Sequence, residues 1–405
     1  MKYDFDRVID RMGSGSAKWD YVMEGRSLVR LEEIKNQIDQ KPLLAMWVAD
    51  MDFPAPNEVL EALEDCARQG IFGYTSPTEA YYQTVCDWMA KRHNWATERD
   101  WIVVTPGVVP ALYIIIRTFV KPGEKVLIQP PVYHPFYYAI EHNDCQVLTN
   151  PLIYENGGYR MDYIDLENKI QDPDLRMVIL CSPHNPVGRV WTRAELAHFA
   201  DICNQRDILV IADEIHADLI LSGQSFTPYA IAAESYRENT IICTAPSKTF
   251  NLAGLKTSNI LIPNKELRKA LYQTIEKSAL FGVNPFGIAA LQAAYQHGED
   301  WLEQVLEYIE ANYRFLKNYL SEHIPQIKVI ELQGTYLVWL DCRRLGLDND
   351  ALKHLMFNQA GVYLDDGFIF GSQGDGFQRM NIACPRSILA EALQRIRNVV
   401  NNRGN

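Results

Sequence analysis

The chain of 405 residues is 47% hydrophobic and 22% charged, a composition typical of a globular protein, and its length favours two domains. Its 39 Lys and Arg residues against 51 Asp and Glu residues give a formal net charge of −12, which disfavours nucleic acid as a partner. There is no apolar signal segment at the amino terminus and no window of about 18 apolar residues elsewhere, so no membrane partner is expected. For the same reasons we expect a cytoplasmic location. The eight cysteines form no C-x-x-C pair and are predicted to be reduced, buried side chains.

Apolar runs between about residues 100 and 265 predict buried strands, and the segments between them have helical periodicity. The runs are "KVLIQPPVY", "MVILCSPHNP", "ILVIADEIH", "TIICTAPSK" and "TSNILIP". The segment "TRAELAHFADICNQRD" predicts an amphipathic helix with Thr192 as its N-cap. This alternation indicates βαβ units and therefore an α/β fold with a mostly parallel central sheet flanked by helices.

The carboxy-terminal part has a different pattern, which predicts a smaller α+β domain. A long amphipathic helix in "DWLEQVLEYIEANYRFLKNYL" precedes a strand "TYLVWLDC", a helix around residues 350–359, a strand "RMNIAC" and a last helix after Pro385. We expect a large α/β domain over residues 51–285 and the small domain over 286–405. Residues 1–50 are expected to pack with the small domain.

Polar side chains follow three of the predicted strands. Asn185 comes after one strand, Asp213 and His216 lie at the end of the next, and Lys248 follows the third. In doubly wound sheets, ligands bind outside the carboxyl ends of the strands. The sequence therefore predicts that an amide, a carboxylate and an amine meet at one edge of the sheet.

A strand, a turn and a helix are predicted in "VVTPGVVPALYIIIRTF". The turn contains Gly107, and the helix start would direct the amides of Val108 and Val109 outward. Free amides at a helix start bind anions, most simply a phosphate group.

Taken singly, these residues have simpler explanations. Asp213 could cap a helix, His216 could be a core histidine with its hydrogen bonds satisfied, Asn185 and Pro186 could form only a turn, and Lys248 could lie on the surface. "DEIH" lacks a second histidine at helical spacing, so we expect no metal site. Together, however, a carboxylate, a phosphate site and a lysine at one edge are the parts needed to hold pyridoxal phosphate as a Schiff base.

Motifs along nearly the whole chain resemble the pyridoxal-phosphate-dependent enzymes of fold type I in the class I/II aminotransferase superfamily. Within it they are most similar to the cystathionine β-lyase-like C–S lyases of the MalY/PatB type. The motifs are "YDFD", "KWD", "MWVADMDFPAP", "FGYTSPT", "PPVYHPF", "SPHNPVGRVW", "IADEIHADL", "SKTFNLAGL" and "MNIACPRS".

The resemblance implies a role for each site residue. Lys248 would bind the cofactor covalently and move the substrate Cα proton, and Asp213 would pair with the pyridine nitrogen. Asn185 and His216 would bond the ring hydroxyl oxygen, and Tyr133 would stack on the ring. The implied phosphate ligands are the amides of Val108 and Val109, Ser247, Lys256, and Tyr74 from the second subunit of a homodimer. Gly107, in the turn before these amides, is also implied to be part of the cofactor-binding set. The implied substrate-binding groups are Arg379, Asn185 and the backbone near Ala49.

Three positions depart from what is common among related aminotransferases. His216 stands where Tyr is common, Lys256 where Arg is common, and Ala245 where many relatives have a phosphate-binding Ser. Lys256 can offer positive charge to a phosphate but not a planar fork.

The reaction that the resemblance implies is β-elimination of a cysteine-S-conjugate such as cystathionine, giving a thiol, pyruvate and ammonia. Transamination uses the same bond cleavage at Cα, and no residue type in the sequence separates the two reactions. A regulatory binding protein on the same fold is a third alternative, because a fold does not fix a function.

Overall fold

A seven-stranded mixed sheet forms the centre of the protein, in a computed structural model that describes residues 2–39, 42–280 and 282–404. In spatial order its strands are Ile102–Thr105, Ser258–Leu261, Thr240–Thr244, Leu209–Asp213, Leu175–Cys181, Lys125–Ile128 and Gln146–Thr149. All run in one direction except Ser258–Leu261, which is antiparallel to both of its neighbours. The predicted α/β class with a mostly parallel sheet is confirmed.

The reversed strand corrects one expectation, since "TSNILIP" was predicted to be part of a βαβ unit. The chain between Thr244 and Ser258 contains only two short helical turns, Pro246–Thr249 and Ala253–Leu255. Parallel neighbours require a crossover, usually an α-helix, and this connection has none. The chain therefore returns antiparallel beside the strand that it has just left.

Helices cover both faces of the sheet. Successive strand residues point to opposite faces, so Ile211 belongs to one hydrophobic cluster while Val210 and Ala212 belong to the other. The helix Arg193–Asn204 lies on the second face, and its predicted N-cap Thr192 forms a capping box with Glu195. The other α-helices of this region are Asn57–Gln69, Glu79–His93, Val108–Phe119, Pro135–Glu141, Tyr163–Lys169, Tyr229–Ala232, Pro246–Thr249, Lys265–Lys277 and Pro285–His297.

A second, antiparallel sheet follows the long helix Glu299–His323. Its strands, in spatial order, are Lys328–Val329, Leu337–Asp341, Phe377–Asn381 and Asp365–Asp366. The α-helices Asn349–Lys353 and Arg386–Asn401 accompany it, and the first continues as a π-helix over His354–Gln359. The elements predicted for the carboxy-terminal part are thus present, with the π-helical turn as an addition.

The amino-terminal segment contacts this second region. Its strand Leu44–Ala45 pairs in parallel with Val362–Tyr363. The other elements of this segment are the helices Ala17–Asp20 and Leu31–Ile34 and the paired strands Tyr21–Glu24 and Ser27–Arg30. Elsewhere in the chain, a hairpin of the strands Ile153–Glu155 and Gly158–Arg160 follows the edge strand of the large sheet.

The three-part division of the chain stays a prediction. The helix Pro285–His297, directly after the predicted boundary at residue 285, packs against Asn57–Gln69 of the predicted large domain. This contact favours a boundary further along the chain. Within the described residues, no helix combines the length and the apolar character needed to span a membrane.

Candidate active site

A cavity of about 220 Å³ lies at the carboxyl ends of the central strands. The strand Leu209–Asp213 ends at its wall, and the turns after Leu175–Cys181 and Thr240–Thr244 supply further lining. The predicted site residues that line it are Ala49, Gly107, Val108, Val109, Tyr133, Asn185, Asp213, His216, Ser247, Lys248 and Lys256. The structure therefore brings together side chains that the sequence predicts at one edge of the sheet.

Lys248 points into this cavity from the helical turn that follows its strand. Its Nζ donates a hydrogen bond to the carbonyl oxygen of Ala49 over 2.7 Å. Burial lowers the pKa of Lys248 to about 8, and the positive charges of Arg379 and Lys256 add to the effect, against Asp50 and Asp213. A lysine whose pKa is lowered can lose its proton near neutral pH and act as a nucleophile.

Asp213 and His216 lie buried on the same cavity wall. The Oδ1 atom of Asp213 accepts a hydrogen bond from the Ile215 amide at 3.2 Å. Burial raises the pKa of Asp213 to about 7, while the Ile215 amide and the charge of Lys248 oppose the rise. Burial, and then the positive charges of Lys248 and Arg379, hold the pKa of His216 well below its usual range, so its ring is neutral.

These two side chains have hydrogen-bonding capacity that the described residues do not use. The Nδ1 atom of His216 is buried without a partner among them, so His216 is not a core histidine with its hydrogen bonds satisfied. Asp213 ends a strand and is followed by turns rather than a helix, so it is not a helix cap. A carboxylate and a neutral ring nitrogen facing one cavity suit an aromatic ligand with a protonated ring nitrogen and a polar oxygen, which fits pyridoxal phosphate.

Another part of the cavity lining suits an anion. The helix Val108–Phe119 begins there, and the amides of its first turn have no acceptor within the helix. The amide of Gly107 instead donates to Ser258 Oγ at 3.1 Å, so its part is conformational: its φ of 135° is one that residues with a Cβ rarely adopt. Ser247 and Lys256 also line the cavity, adding a hydroxyl and a positive charge.

A second cavity of about 290 Å³ adjoins the first and shares Ala49, Tyr133 and Lys248 with it. Arg379, predicted to bind a carboxylate, lines this second cavity. Its Nη1 donates to Asn185 Oδ1 at 2.9 Å. The side chain of Asn185 therefore holds Arg379 in place, in addition to its place in a turn. The guanidinium of Arg379 and the amine of Lys248 therefore line the same cavity.

Sequence reasoning missed several groups at this site. Tyr336 donates through its hydroxyl to the Ala49 carbonyl at 3.0 Å, and Asp365 forms an ion pair with Arg379. Both belong to the second sheet or its edge, far from the other site residues in sequence. The one available signal was a pair of carboxylates, Asp365 and Asp366, inside the apolar run "VYLDDGFIF".

A buried ion cluster holds the segment that carries Ala49. The side chain of Lys18 has no exposed area, and its Nζ lies 2.7 Å from Asp52 Oδ2. Arg11 lies 2.7 Å from the other oxygen of Asp52 and 2.9 Å from Asp50. Burial acts to raise the pKa of Asp50, but Arg11, Lys18 and Lys248 outweigh it and hold that pKa below its usual range. This accounts for the lysine of the "KWD" motif.

Tyr74 is the one predicted site residue that lines neither cavity. It lies in the irregular segment between the helices Asn57–Gln69 and Glu79–His93, and its side chain is fully exposed. Its expected contribution comes from a second subunit, and it stays a prediction.

Comparison with known proteins identifies the class. Residues 42–396 match the family described as aminotransferase class I and II, and the chain belongs to this family. It is 39% identical over 394 residues to cystathionine beta-lyase PatB of Bacillus subtilis (strain 168), covering 97% of this chain and 99% of PatB. It is 31% identical over 400 residues to protein MalY of Escherichia coli (strain K12), covering 98% and 99% of the two chains.

The fold of a solved relative agrees with this assignment. The crystal structure of cystalysin from Treponema denticola, which contains a pyridoxal 5′-phosphate cofactor, superposes with a TM-score of 0.94 at 36% identity and covers 100% of both chains. The family resemblance inferred from the motifs is therefore confirmed.

Proposed function

We propose that the protein is a pyridoxal-phosphate-dependent carbon–sulfur lyase that catalyses β-elimination on cysteine-S-conjugates. The products are a thiol, pyruvate and ammonia. The observation that carries the proposal is the meeting of Lys248, Asp213 and a helix start in one cavity beside Arg379. Similarity to the cystathionine beta-lyase PatB over 97% of this chain and 99% of PatB favours elimination over transamination.

The residues of the first cavity would hold the cofactor. Pyridoxal phosphate, when bound, supplies an electron-withdrawing ring that makes the bonds at an amino acid's Cα easier to break. Lys248 would hold it covalently, Asp213 would face its ring nitrogen, and the first amides of Val108–Phe119 would take its phosphate. Asn185 and His216 offer hydrogen bonds to a ring oxygen. Tyr133, Ser247, Lys256 and, from a second subunit, Tyr74 complete the proposed set.

The residues of the second cavity would hold and deprotonate the substrate. Arg379 binds the α-carboxylate, which orients the Cα–H bond toward Lys248. Lys248 would be freed when the substrate's amino group takes its place on the cofactor, and its free amine, whose pKa burial lowers to about 8, would then remove the Cα proton. The Ala49 carbonyl, 2.7 Å from Nζ, keeps that amine inside the cavity.

A homodimer is part of the proposal. Ile71, Phe72 and Tyr74 expose 79%, 60% and 112% of their surface on one irregular segment. Contiguous exposed apolar side chains favour an interface, here with a second copy of the chain. Sedimentation velocity of the holoenzyme tests this: a monomer that turns over substrate at full rate would contradict it.

A cytoplasmic location is also proposed. All eight cysteines are free, and several of them are buried in the hydrophobic clusters. Free buried thiols suit a reducing compartment. Fractionation of cells that produce the protein, with the protein found outside the cytoplasm, would overturn this part.

One assay separates the proposed reaction from its alternatives. The holoenzyme is incubated with cystathionine, and free thiol and pyruvate are measured beside amino-group exchange with a 2-oxo acid. Thiol and pyruvate released in equal amounts at a turnover number in the ordinary enzymatic range, about 1–10³ s⁻¹, support the lyase. Exchange without thiol release would assign a transaminase, and the absence of both reactions would favour a binding protein.

A further inference from the structure

Arg379 already has a carboxylate partner before any substrate is considered. Its side chain is buried, and its Nη2 atom donates both to the Trp47 carbonyl at 3.0 Å and to Asp365. Its Nη1 donates to Asn185 Oδ1 at 2.9 Å. Its Nε is buried without a hydrogen-bond partner in the part of the chain that the structure describes. Both N–H groups of Nη2 are therefore in use.

This arrangement conflicts with a bidentate substrate contact. A carboxylate can bind a guanidinium through Nη1 and Nη2, or through Nε and Nη2, and each geometry needs an N–H group of Nη2. Asn185 and Trp47 are neutral groups that fix Arg379 in place, whereas Asp365 neutralises its charge. A substrate carboxylate and Asp365 therefore require the same part of Arg379.

We propose that Asp365 occupies the position on Arg379 that the substrate carboxylate takes, and that Asp365 gains a proton from solvent when that carboxylate binds. Two carboxylates beside one buried guanidinium are unfavourable when both are charged, so one of them takes up a proton. Protonated Asp365 then becomes a donor that can stay beside the substrate. The proposal rests on the proposed role of Arg379 in binding the substrate carboxylate.

Charged and titratable side chains from several elements surround Asp365. They are Arg379, Asp366, Lys353, Lys248, Tyr133, His134 and Tyr363. Asp366 accepts from Gln378 at 2.9 Å and lies 3.7 Å from Lys353, away from Arg379. Burial lowers the pKa of His134 to about 4 and raises that of Tyr133 to about 12, so neither changes charge near pH 7. Burial raises the pKa of Asp365 to about 6 against the opposing charge of Arg379, which makes it ready to gain a proton.

The test measures proton uptake during binding of propionate to the holoenzyme. Propionate has a carboxylate but no amino group, so it occupies the carboxylate site without reacting. Isothermal titration calorimetry at pH 7 in buffers of different ionisation enthalpy gives the number of protons gained. We expect uptake approaching about one proton per propionate in the unmodified protein and almost none in Asp365→Asn. We also expect Asp365→Asn to bind propionate about tenfold more tightly at pH 7, which is one unit above the Asp365 pKa of about 6, since one pKa unit corresponds to a factor of ten.

Asp366→Asn is the matched control, because it removes the adjacent carboxylate from the same cavity without touching Arg379. It should keep the proton uptake. Uptake that persists in Asp365→Asn, or that Asp366→Asn abolishes equally, would overturn the proposal. If Asp365→Asn does not fold, the unmodified protein alone decides: a propionate affinity that is constant from pH 5.5 to pH 8 refutes it. Loss of propionate binding in Arg379→Met checks the carboxylate site separately, so that a failure of the proposed function is recognised as such.

Discussion

The amine of Lys248 and the carbonyl oxygen of Ala49 are 2.7 Å apart, although 199 positions separate the two residues in the chain. Tyr336 donates to the same carbonyl at 3.0 Å. The large sheet, the second sheet and the amino-terminal segment therefore meet at one oxygen atom. Because all three parts supply atoms to this point, the proposed chemistry depends on their relative packing as well as on the lysine.

Lys248→Ala should lower thiol and pyruvate release by about 10²–10⁴-fold or more, because it removes the group that moves the Cα proton. Borohydride treatment should then no longer attach the cofactor to the chain, as peptide mass spectrometry would detect. Lys269→Ala, which changes an exposed lysine of the helix Lys265–Lys277, is the control and should keep both properties. A covalent adduct that survives in Lys248→Ala would refute the assignment.

Asp213→Asn should reduce activity by at least about 100-fold, because a neutral amide cannot hold a positive ring nitrogen. The same substitution should instead increase the stability of the apoprotein. The native pKa of Asp213 is about 7, above the value of about 3.9 for an unfolded aspartate, so the native state binds more protons between these pH values. The unmodified apoprotein therefore loses stability as the pH rises through that range.

Urea unfolding of both apoproteins at pH 5 and pH 8 measures this effect. The free energy of unfolding of Asp213→Asn, relative to the unmodified protein, should be larger at pH 8 than at pH 5. A difference that is the same at both pH values would mean that Asp213 is charged throughout, contrary to the effect of burial.

Lys18→Met should destabilise the protein by about 3–5 kcal/mol, because it leaves buried carboxylates without their cation. Lys18 lies 2.7 Å from Asp52 and 3.6 Å from Asp50. The double variant Lys18→Met with Asp52→Asn should recover part of the loss, and denaturant unfolding compares the three proteins. Equal losses in the single and double variants would show that the charge of Asp52 is not the cause.

Gly287→Ala should destabilise the protein by about 1–3 kcal/mol and weaken cofactor binding. A Cβ at residue 287 would lie 1.9 Å from Thr257 Oγ1 and 2.7 Å from the Leu255 carbonyl, and Thr257 lines the first cavity. Thermal unfolding and a cofactor titration measure the two effects. Gly158→Ala is the control, since its Cβ would meet no atom within 4 Å. Unchanged cofactor affinity in Gly287→Ala would mean that Thr257 adjusts without cost to the cavity.

The central part of the site follows from the order of the strands. Asn185 and Lys248 follow parallel strands and Asp213 ends one. Because parallel strands end at one edge of a sheet, local patterns were enough to bring these residues together. Asp365 and Tyr336 reach the same place only through packing of the second sheet against the first. Periodicity identifies the strands of that sheet but carries no information on where it docks, which is why these two residues were missed.

The direction of the strand Ser258–Leu261 was missed for a related reason. Its apolar run predicts a buried strand, and burial does not distinguish a parallel from an antiparallel neighbour. Only the lack of a crossover helix before it could have indicated the reversal. The amide of Gly107 donates to Ser258 on that strand, so the reversed strand also supports the turn that precedes the helix Val108–Phe119.

Trp47 and Ala49 act on Arg379 and Lys248 through their main-chain oxygens. Alanine replacement cannot test either oxygen, because residue 49 is already alanine and Trp47→Ala would remove a buried indole while leaving the main-chain carbonyl in place. Their contribution would become measurable in protein made by chemical ligation, in which an ester or thioamide replaces a single peptide unit.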